Sequence, residues 1–357
     1  MKKIIASIIL LAIGQNLFPC DACNFLEYGN LQNQHYASIS YKHRSLNGYN
    51  TGVQTNQFSL NGSGNFANAH VVQGANDSIY FTQEDEEAFR SIELRLNFNL
   101  KNNWNILAIL PYNTHKVYFK KIIRNKKLGS LVSPQEDSTN TIKGLGDVSV
   151  YLEKYWIVKK GDWKAYLRFS PGIQIPTGKT DASEGSFVFD PVVQPGMGVF
   201  NAMLRTNNTL IYRARFGGNI GFNYAKSLGK VENTGLNTNT VGNLVPEYEF
   251  GDRVNGQLNV FYITNFYNYT QWIPTVGLYY ENVQANKENG EELTTGGSVL
   301  FQQIGLEMMH NQFSVQAQFS LPILQDMNGV QIENAGMFTL SGVYRFGKKE
   351  EGEIVNP

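Results

Sequence analysis

The chain alternates apolar and polar side chains most regularly between residues 91 and 100. The apolar set occupies the even positions, Ile92, Leu94, Leu96, Phe98 and Leu100, and each odd position is polar. This period of two predicts a strand with one polar and one apolar face. The segment matches the roughly 9–11 residues that a tilted strand needs to cross a bilayer. Weaker copies recur along the chain and predict an outer-membrane β-barrel with its apolar faces toward lipid.

The predicted fold class is all-β, a transmembrane antiparallel up-and-down β-barrel of about 12 strands. Besides residues 91–100, the alternation is clearest in segments near 163, 208 and 312. The sixth strand is the least regular because Pro195, Gly196 and Gly198 interrupt its phase. The predicted strands lie near 35–44, 89–100, 104–115, 143–157, 163–176, 191–204, 208–224, 247–264, 272–284, 297–309, 312–323 and 336–346.

Short and long connections alternate between these predicted strands. The short ones are predicted at 101–103, 158–162, 205–207, 265–271 and 310–311. Short periplasmic turns and long external loops are typical of outer-membrane barrels. An even number of strands also returns the end of the chain to the periplasmic side on which it begins.

Composition supports this interpretation and excludes one class of partner. The 357 residues include 17% charged and 13% aromatic side chains, with 34 glycines. A soluble globular protein usually carries about 25% charged residues. The formal net charge is zero, so no overall positive field favours nucleic acid.

The amino-terminal residues predict a secretory signal peptide over 1–19. Lys2 and Lys3 precede an apolar stretch that is too short to span a membrane as a helix. We predict a periplasmic segment over 20–34, the barrel over 35–346, and a polar tail over 347–357. No later stretch has 18 uncharged apolar residues, so no inner-membrane helix is expected.

Aromatic residues suggest how the barrel sits in the membrane. The four tryptophans each fall close to a predicted periplasmic turn. Tryptophan favours the membrane interface, where its ring is in the apolar zone and its N–H is hydrated. We therefore predict an interfacial girdle of Trp104, Trp156, Trp163 and Trp272; ordinary core tryptophans are the alternative.

Charged residues on the inward phase of the strands are the candidate selectivity residues. Lumenal charges either pair across a narrow interior or line a path for water. Six of the nine candidates are basic, which suggests a weak anion preference, and a salt-bridge network that plugs the barrel is the alternative. The candidates are Glu93, Arg95, Glu153, Lys164, Arg168, Arg213, Arg215, Arg253 and Glu281.

Several short segments, in this order along the chain, resemble a family of bacterial outer-membrane transporters. The family is related to the barrel proteins of meta-pathway phenol degradation, in the version found in Bacteroidetes. The resemblance implies a barrel with a transport role, and it suggests small hydrophobic or aromatic solutes. The segments are CDAC at 20–23, GLGDV at 144–148, IPTGK at 175–179, QPGMG at 194–198, YEFGDR at 248–253 and GLYYE at 277–281.

No residues in the sequence suggest catalysis, a cofactor or a complete metal site. Cys20 and Cys23 have the spacing of a disulfide, of half a metal site or of a redox pair, and an acylated Cys20 is a further alternative. The partners that we predict are outer-membrane lipid with lipopolysaccharide, the barrel-assembly machinery and a small solute, without nucleic acid. The rival functions are a closed barrel that serves as a binding platform and an outer-membrane hydrolase.

Overall fold

The computed structural model describes residues 34–49, 77–80, 85–125, 136–184, 187–232, 247–266, 270–329 and 331–347. The predicted signal peptide, Cys20 and Cys23 lie outside the described residues. The same holds for all of the predicted tail except Gly347.

Twelve long strands form the wall of the molecule. The fourth strand is preceded in sequence by the stretch Glu136–Leu145, which we call its outer extension. A break at Gly146 and Asp147 separates the two. The strands are β1 (His35–Tyr49), β2 (Glu86–Asn99), β3 (Trp104–Asn125), β4 (Val148–Lys160), β5 (Trp163–Ile175), β6 (Asn201–Tyr212), β7 (Phe216–Ser227), β8 (Arg253–Tyr262), β9 (Thr270–Val283), β10 (Gly297–His310), β11 (Phe313–Met327) and β12 (Ile332–Phe346).

Antiparallel pairing closes these strands into a barrel. Each strand pairs with its neighbours in sequence, and β12 pairs with β1 from His35 opposite Phe346 to Tyr49 opposite Ile332. Closure leaves the described wall strands without an unpaired edge, so their backbone groups are satisfied within the wall itself. The predicted fold class, an antiparallel barrel of 12 strands, is confirmed.

The two faces of the wall differ as the alternation predicts. On β2, Ile92 and Leu94 are 47% and 41% exposed on the outside, whereas Glu93 and Arg95 are each 5% exposed on the inside. The other strands repeat the arrangement, so the barrel carries an apolar outer belt around a polar interior. Such a belt is stable only against lipid.

Strands β6 and β7 differ from their predicted positions. The strand predicted over 191–204 begins only at Asn201, and the turn predicted over 205–207 lies in the middle of β6. The real turn follows Tyr212, where Arg213 and Ala214 adopt positive φ angles. The turn prediction was wrong because the alternation of side chains continues through the real turn without a change of phase. The strand prediction was wrong because residues 191–197 lie inside the barrel and do not pair in its wall.

Two other differences lie at the ends of the strands. β3 extends well past residue 115 to pair with the outer extension of the fourth strand. The strand predicted over 247–264 is divided, and Glu247–Glu249 joins a small sheet in the long-loop region. The other strands of that sheet are Val231–Glu232, Lys287–Glu288 and Glu291–Glu292.

Helical structure is minor in the described residues. A three-residue 3-10 turn, Pro191–Val193, is capped by the side chain of Asp190. In this part of the chain no helix has the length and apolar character needed to cross a membrane.

Candidate functional site

A cavity of about 430 Å³ lies inside the barrel, in the half nearer the long loops. Residues from the loop-side halves of β1, β2, β8 and β9 contribute to its wall, and residues 191–195 and 197 lie across it. Enclosed spaces of this size are the usual sites for small molecules in proteins. The cavity is therefore the candidate functional site.

Residues 190–199, which we call the inward segment, fold into the lumen instead of pairing in the wall. The amide of Asn113 on β3 donates to the carbonyl oxygen of Pro195 at 2.8 Å. Val193 packs with Ile142 and Ala182, and Val199 packs with Tyr248 and Phe250 of the loop region. Contacts on both sides thus hold the inward segment across the mouth of the cavity.

A single buried carboxylate fixes this segment to the wall. Asp147, at the break in the fourth strand, is 2% exposed. Its two oxygens accept the backbone N–H of Gly178 at 2.8 Å and that of Met197 at 2.7 Å. Hydrogen bonds to a charged acceptor are about twice as strong as neutral ones. Asp147 therefore joins the wall, the loop after β5 and the inward segment.

Two glycines permit this close approach. A Cβ atom on Gly178 would lie 2.6 Å from the Cα atom of Gly196, and a Cβ atom on Gly196 would lie equally close to the Cα atom of Gly178. Both would also lie 2.8 Å from Oδ1 of Asp147. Any larger side chain at either position would push the two backbones apart and weaken the hold of Asp147 on Met197.

Charged side chains below the inward segment form paired groups. Glu93 accepts Lys42 Nζ at 2.5 Å on one oxygen and Arg95 Nη2 at 2.5 Å on the other. All three side chains are almost completely buried. Two cations sharing one carboxylate leave an excess of positive charge in this part of the lumen.

A second ion pair crosses the lumen. Arg44 on β1 contacts both oxygens of Glu281 on β9, at 3.2 and 3.1 Å. The two strands are separated along the wall by β10, β11 and β12. Arg44 also donates to Asn334 on β12 at 2.7 Å. The pair therefore narrows the passage at the level of the cavity.

The middle of the lumen is filled mainly by amide and hydroxyl groups. Ser320 accepts from Gln303 at 3.0 Å and from Gln318 at 3.3 Å. Asn219 bonds to Thr209 at 2.9 Å and also to Asn207. Hydrogen bonds between uncharged groups thus predominate here, whereas ion pairs predominate around the cavity.

The end of the lumen beside the short turns is partly apolar. A cluster of five buried side chains lies between β5 and β9 at this end, with Ile157 packed against it. Apolar side chains in close contact exclude water from the space that they fill. The cluster comprises Tyr166, Ile211, Phe261, Ile263 and Ile273.

The structure places seven of the nine candidate selectivity residues on the inner face. The carboxylate of Glu153 accepts from Ser170 at 3.0 Å, and Lys164 Nζ lies 4.6 Å from the ring of Tyr166. The role of these residues in selectivity stays a prediction. The seven are Glu93, Arg95, Glu153, Lys164, Arg168, Arg253 and Glu281.

The prediction that Arg213 and Arg215 face the lumen was wrong. Both lie in the turn between β6 and β7 and are exposed. The guanidinium of Arg213 pairs with Asp162 in the neighbouring turn at 2.8 Å, and this partner raises the pKa of Arg213. The error follows from the misplaced turn. Arg213 and Arg215 were assigned to the strand predicted over 208–224, and the alternation of that strand placed them on its inner face.

The four tryptophans lie toward the end of the barrel that carries the short turns. Trp104 and Trp163 begin β3 and β5, and Trp272 lies near the start of β9. Trp156 and Trp163 are 46% and 47% exposed on the outer face. Lys154 Nζ lies 5.0 Å from the ring of Trp104. The interfacial role of this group stays a prediction.

Sequence reasoning missed several charged lumenal residues, one of which, Arg205 on β6, was assigned to a turn. Lys42 and Arg44 on β1 alternate with outward-facing residues such as Tyr41. The alternation along that strand could therefore have placed both on the inner face. Glu307 and Arg345 form a buried pair at 3.8 Å between β10 and β12. The other inward-facing residues of β10 and of β12 are uncharged. The sequence of neither strand therefore indicates that Glu307 and Arg345 form a pair.

The region of long loops adds an apolar cover next to the inward segment. Tyr248 is 1% exposed and packs edge-on against Phe250. Burial raises the pKa of Tyr248 well above its usual value, and the negative charge of Asp190 adds to the effect. The phenol is therefore neutral, as its apolar surroundings require.

Potential metal ligands do not gather anywhere in the described residues: no group of three or more His, Cys, Asp or Glu side chains is placed to hold an ion. The candidate chemistry of the site thus consists of ion pairs, amides and apolar walls. These features can bind or guide a solute.

The closed barrel, its apolar belt and its polar lumen define a bacterial outer-membrane β-barrel. The predicted location in the outer membrane is therefore confirmed. No family model matches the chain, and no curated protein does.

Among solved structures, the chain is similar to the COG4313 outer membrane channel from Pseudomonas putida F1. The TM-score is 0.57 at 12% identity, over 90% of this chain and 100% of that one. A FadL homologue from Pseudomonas aeruginosa matches at a TM-score of 0.38 and 10% identity, over 88% of this chain and 91% of that one. At these identities the similarity to the first structure shows the fold alone.

Proposed function

We propose that the protein is an outer-membrane channel that takes up small solutes by passive or facilitated diffusion. The observation that carries the proposal is a set of buried lumenal amides. Asn223 and Asn255 at the cavity, and Asn259 and Gln318 further in, have side-chain atoms without a hydrogen-bond partner in the described residues. Buried amides need partners, and water is the one available in such a lumen. We infer that water reaches these amides, which supports passage rather than a filled core.

Further observations support a narrow and selective passage. The inward segment and the Arg44–Glu281 pair restrict the lumen near the long loops. Twelve strands also exceed the roughly eight whose side chains just fill a barrel and fall short of the 16–18 of a general porin. We propose that the lumenal charges set the selectivity of this passage. The family resemblance suggests small hydrophobic or aromatic solutes.

The alternative is a closed barrel that serves as a platform for binding through its loops. The apolar cluster around Ile273 favours it, because dry packing at one end of the lumen obstructs flow. The four-stranded loop sheet would then be the functional surface. Neither proposal includes catalysis. Partners in both are outer-membrane lipid, lipopolysaccharide and the barrel-assembly machinery.

Liposome swelling with the refolded chain separates the two proposals. The protein is reconstituted into liposomes, and insertion is verified by its heat-dependent shift on a gel. A channel admits small neutral and charged solutes and excludes larger ones, so swelling rates fall with solute size. Liposomes that contain inserted barrel and swell no faster than empty ones would contradict the channel and support the platform.

A further inference from the structure

Arg253 differs from Lys42, Arg44 and Arg95, three other cations that border the cavity. Lys42 and Arg95 share Glu93, whereas Arg44 pairs with Glu281. Within the described residues the Arg253 guanidinium has no carboxylate oxygen within 4 Å. Its contact is the thioether of Met197, with Nη2 at 3.8 Å from the sulfur.

A thioether is a weak substitute for an anion. Methionine sulfur accepts hydrogen bonds poorly, whereas a guanidinium offers five N–H donors in a fork that matches a carboxylate. Arg253 borders the cavity, so donors that Met197 does not use are available to a molecule inside it. The position therefore suits a carboxylate group.

The cavity wall that includes Arg253 has both polar and apolar parts. The apolar part comes from the inward segment, from Phe250 just before β8, and from β9 and β10, and the amide of Asn255 belongs to the polar part. An anion with no apolar group would leave the apolar part without contacts. The apolar side chains are those of Met197, Phe250, Tyr279 and Val299.

We propose that Arg253 is the anion-binding residue of the lumen and that the solute is a small organic carboxylate with an apolar body. This inference rests on the proposed channel function and names its substrate class. The carboxylate replaces the Met197 sulfur on the guanidinium, while the apolar body contacts the surrounding side chains. Methionine has three flexible torsions, so its side chain can move while Asp147 still holds its backbone.

Calorimetric titration of the full chain in detergent with benzoate tests the site, and benzamide is the uncharged probe of the same shape. We expect benzoate to bind and benzamide to bind at least about tenfold more weakly, because only the anion gains charge-assisted bonds. Arg253→Gln should weaken benzoate binding about tenfold, and Arg253→Lys should weaken it less, since it keeps the charge but loses the fork.

Arg213→Gln is the matched control, because it removes an exposed arginine from the turn between β6 and β7. Its affinity for benzoate should equal that of the unmodified chain. Met197→Leu provides a second test that keeps the arginine. Removal of the competing sulfur at similar volume should raise the affinity about twofold.

The outcomes separate this inference from the channel itself. No benzoate binding, equal binding of benzamide, or equal weakening by Arg213→Gln would overturn the site at Arg253, even if potassium chloride still passes the barrel. Specific benzoate binding by a barrel that conducts no ions would support the site and contradict the channel. If Arg253→Gln does not fold, Arg253→Lys and Met197→Leu still decide the question.

Discussion

The two ends of the lumen are built from different chemistry. Toward the long loops, ion pairs surround a cavity beneath the inward segment. Toward the short turns, the apolar cluster around Ile273 occupies the space between β5 and β9. Hydrogen-bonded amides and hydroxyls separate the two regions. A solute that enters from the loops would thus meet the ion pairs around the cavity first, and last the apolar cluster, beside which the Glu307–Arg345 pair lies.

The two ends of the lumen are therefore suited to two different roles, selection of a solute and resistance to water and ions. Charged groups at the loop end can select a solute, because binding there is favourable enough for entry and weak enough for release when the groups have other partners. Apolar packing at the short-turn end resists water and ions. Single substitutions at each end test these roles, and the largest effect is expected at Glu93.

Glu93→Gln should destabilise the barrel most. It leaves Lys42 and Arg95 buried without their shared carboxylate, and loss of one partner from a buried ion pair costs about 3–5 kcal/mol. Denaturant unfolding in detergent measures the loss. The reversal potential in a potassium chloride gradient should also shift toward anions. Glu291→Gln, on an exposed loop strand, is the control, and an equal loss there would disprove the assignment.

Asp147→Ala should release the inward segment. It removes both acceptors of the Gly178 and Met197 amides, which should cost about 3 kcal/mol in the free energy of unfolding. Asp147→Asn keeps one acceptor oxygen and should lose less. Limited proteolysis at 190–199 measures the release.

The matched control for this change is Asp162→Ala, an exposed carboxylate in a short turn. Cleavage within 190–199 should be unchanged in that variant. Equal protection of the segment in Asp147→Ala and the unmodified chain would show that other contacts hold it.

Ile273→Val tests the apolar end. Ile273 is fully buried in the lumenal cluster, so loss of one methylene should cost about 1 kcal/mol. Ile304→Val makes the same change on the outer face, where the side chain is 56% exposed, and should cost far less in detergent. Unfolding curves of the two variants provide the comparison, and similar costs would refute dry packing inside the lumen.

Arg213→Gln should have the smallest effect. Its pair with Asp162 is exposed, and such pairs contribute little to stability. Ion selectivity and unfolding should match those of the unmodified chain. A clear shift of the reversal potential would instead support the original placement of Arg213 in the lumen.

The wall of the barrel could be predicted because the alternation of side chains along each strand indicates which face meets lipid and which meets the lumen. On β2 the alternation places Glu93 and Arg95 inside and Ile92 and Leu94 outside, and the structure agrees. A side chain that meets lipid must be apolar whatever its neighbours are, so the pattern is local. The number of strands follows from the same signal.

The turn between β6 and β7 illustrates where the signal fails. Tyr212 and Phe216 pair across it, and the three residues between them return the even positions to the outer face. The alternation therefore continues unchanged through the turn. Arg213 and Ala214 take positive φ angles, although neither is a glycine that would mark a turn. Arg205 and Asn207, which suggested a turn, are polar because they face the lumen.

The inward segment could not be predicted because its contacts are distant in sequence. Met197 is fixed by Asp147, and Pro195 by Asn113, across 50 and 82 residues. Its prolines and glycines showed only that a regular strand was unfavourable there. The segments that carry the family resemblance do converge on this place: 144–148, 175–179 and 194–198 meet at Asp147, and 248–253 and 277–281 border the cavity.

Single-channel recording of the refolded barrel, with and without Asp147→Ala, tests the central claim most directly. That claim is that the inward segment, held by Asp147, constricts a hydrated lumen. We predict discrete conductance steps for the unmodified chain and severalfold larger steps for the variant. Steps of equal size would show that the segment does not constrict the path, and silence from both inserted proteins would contradict a hydrated lumen.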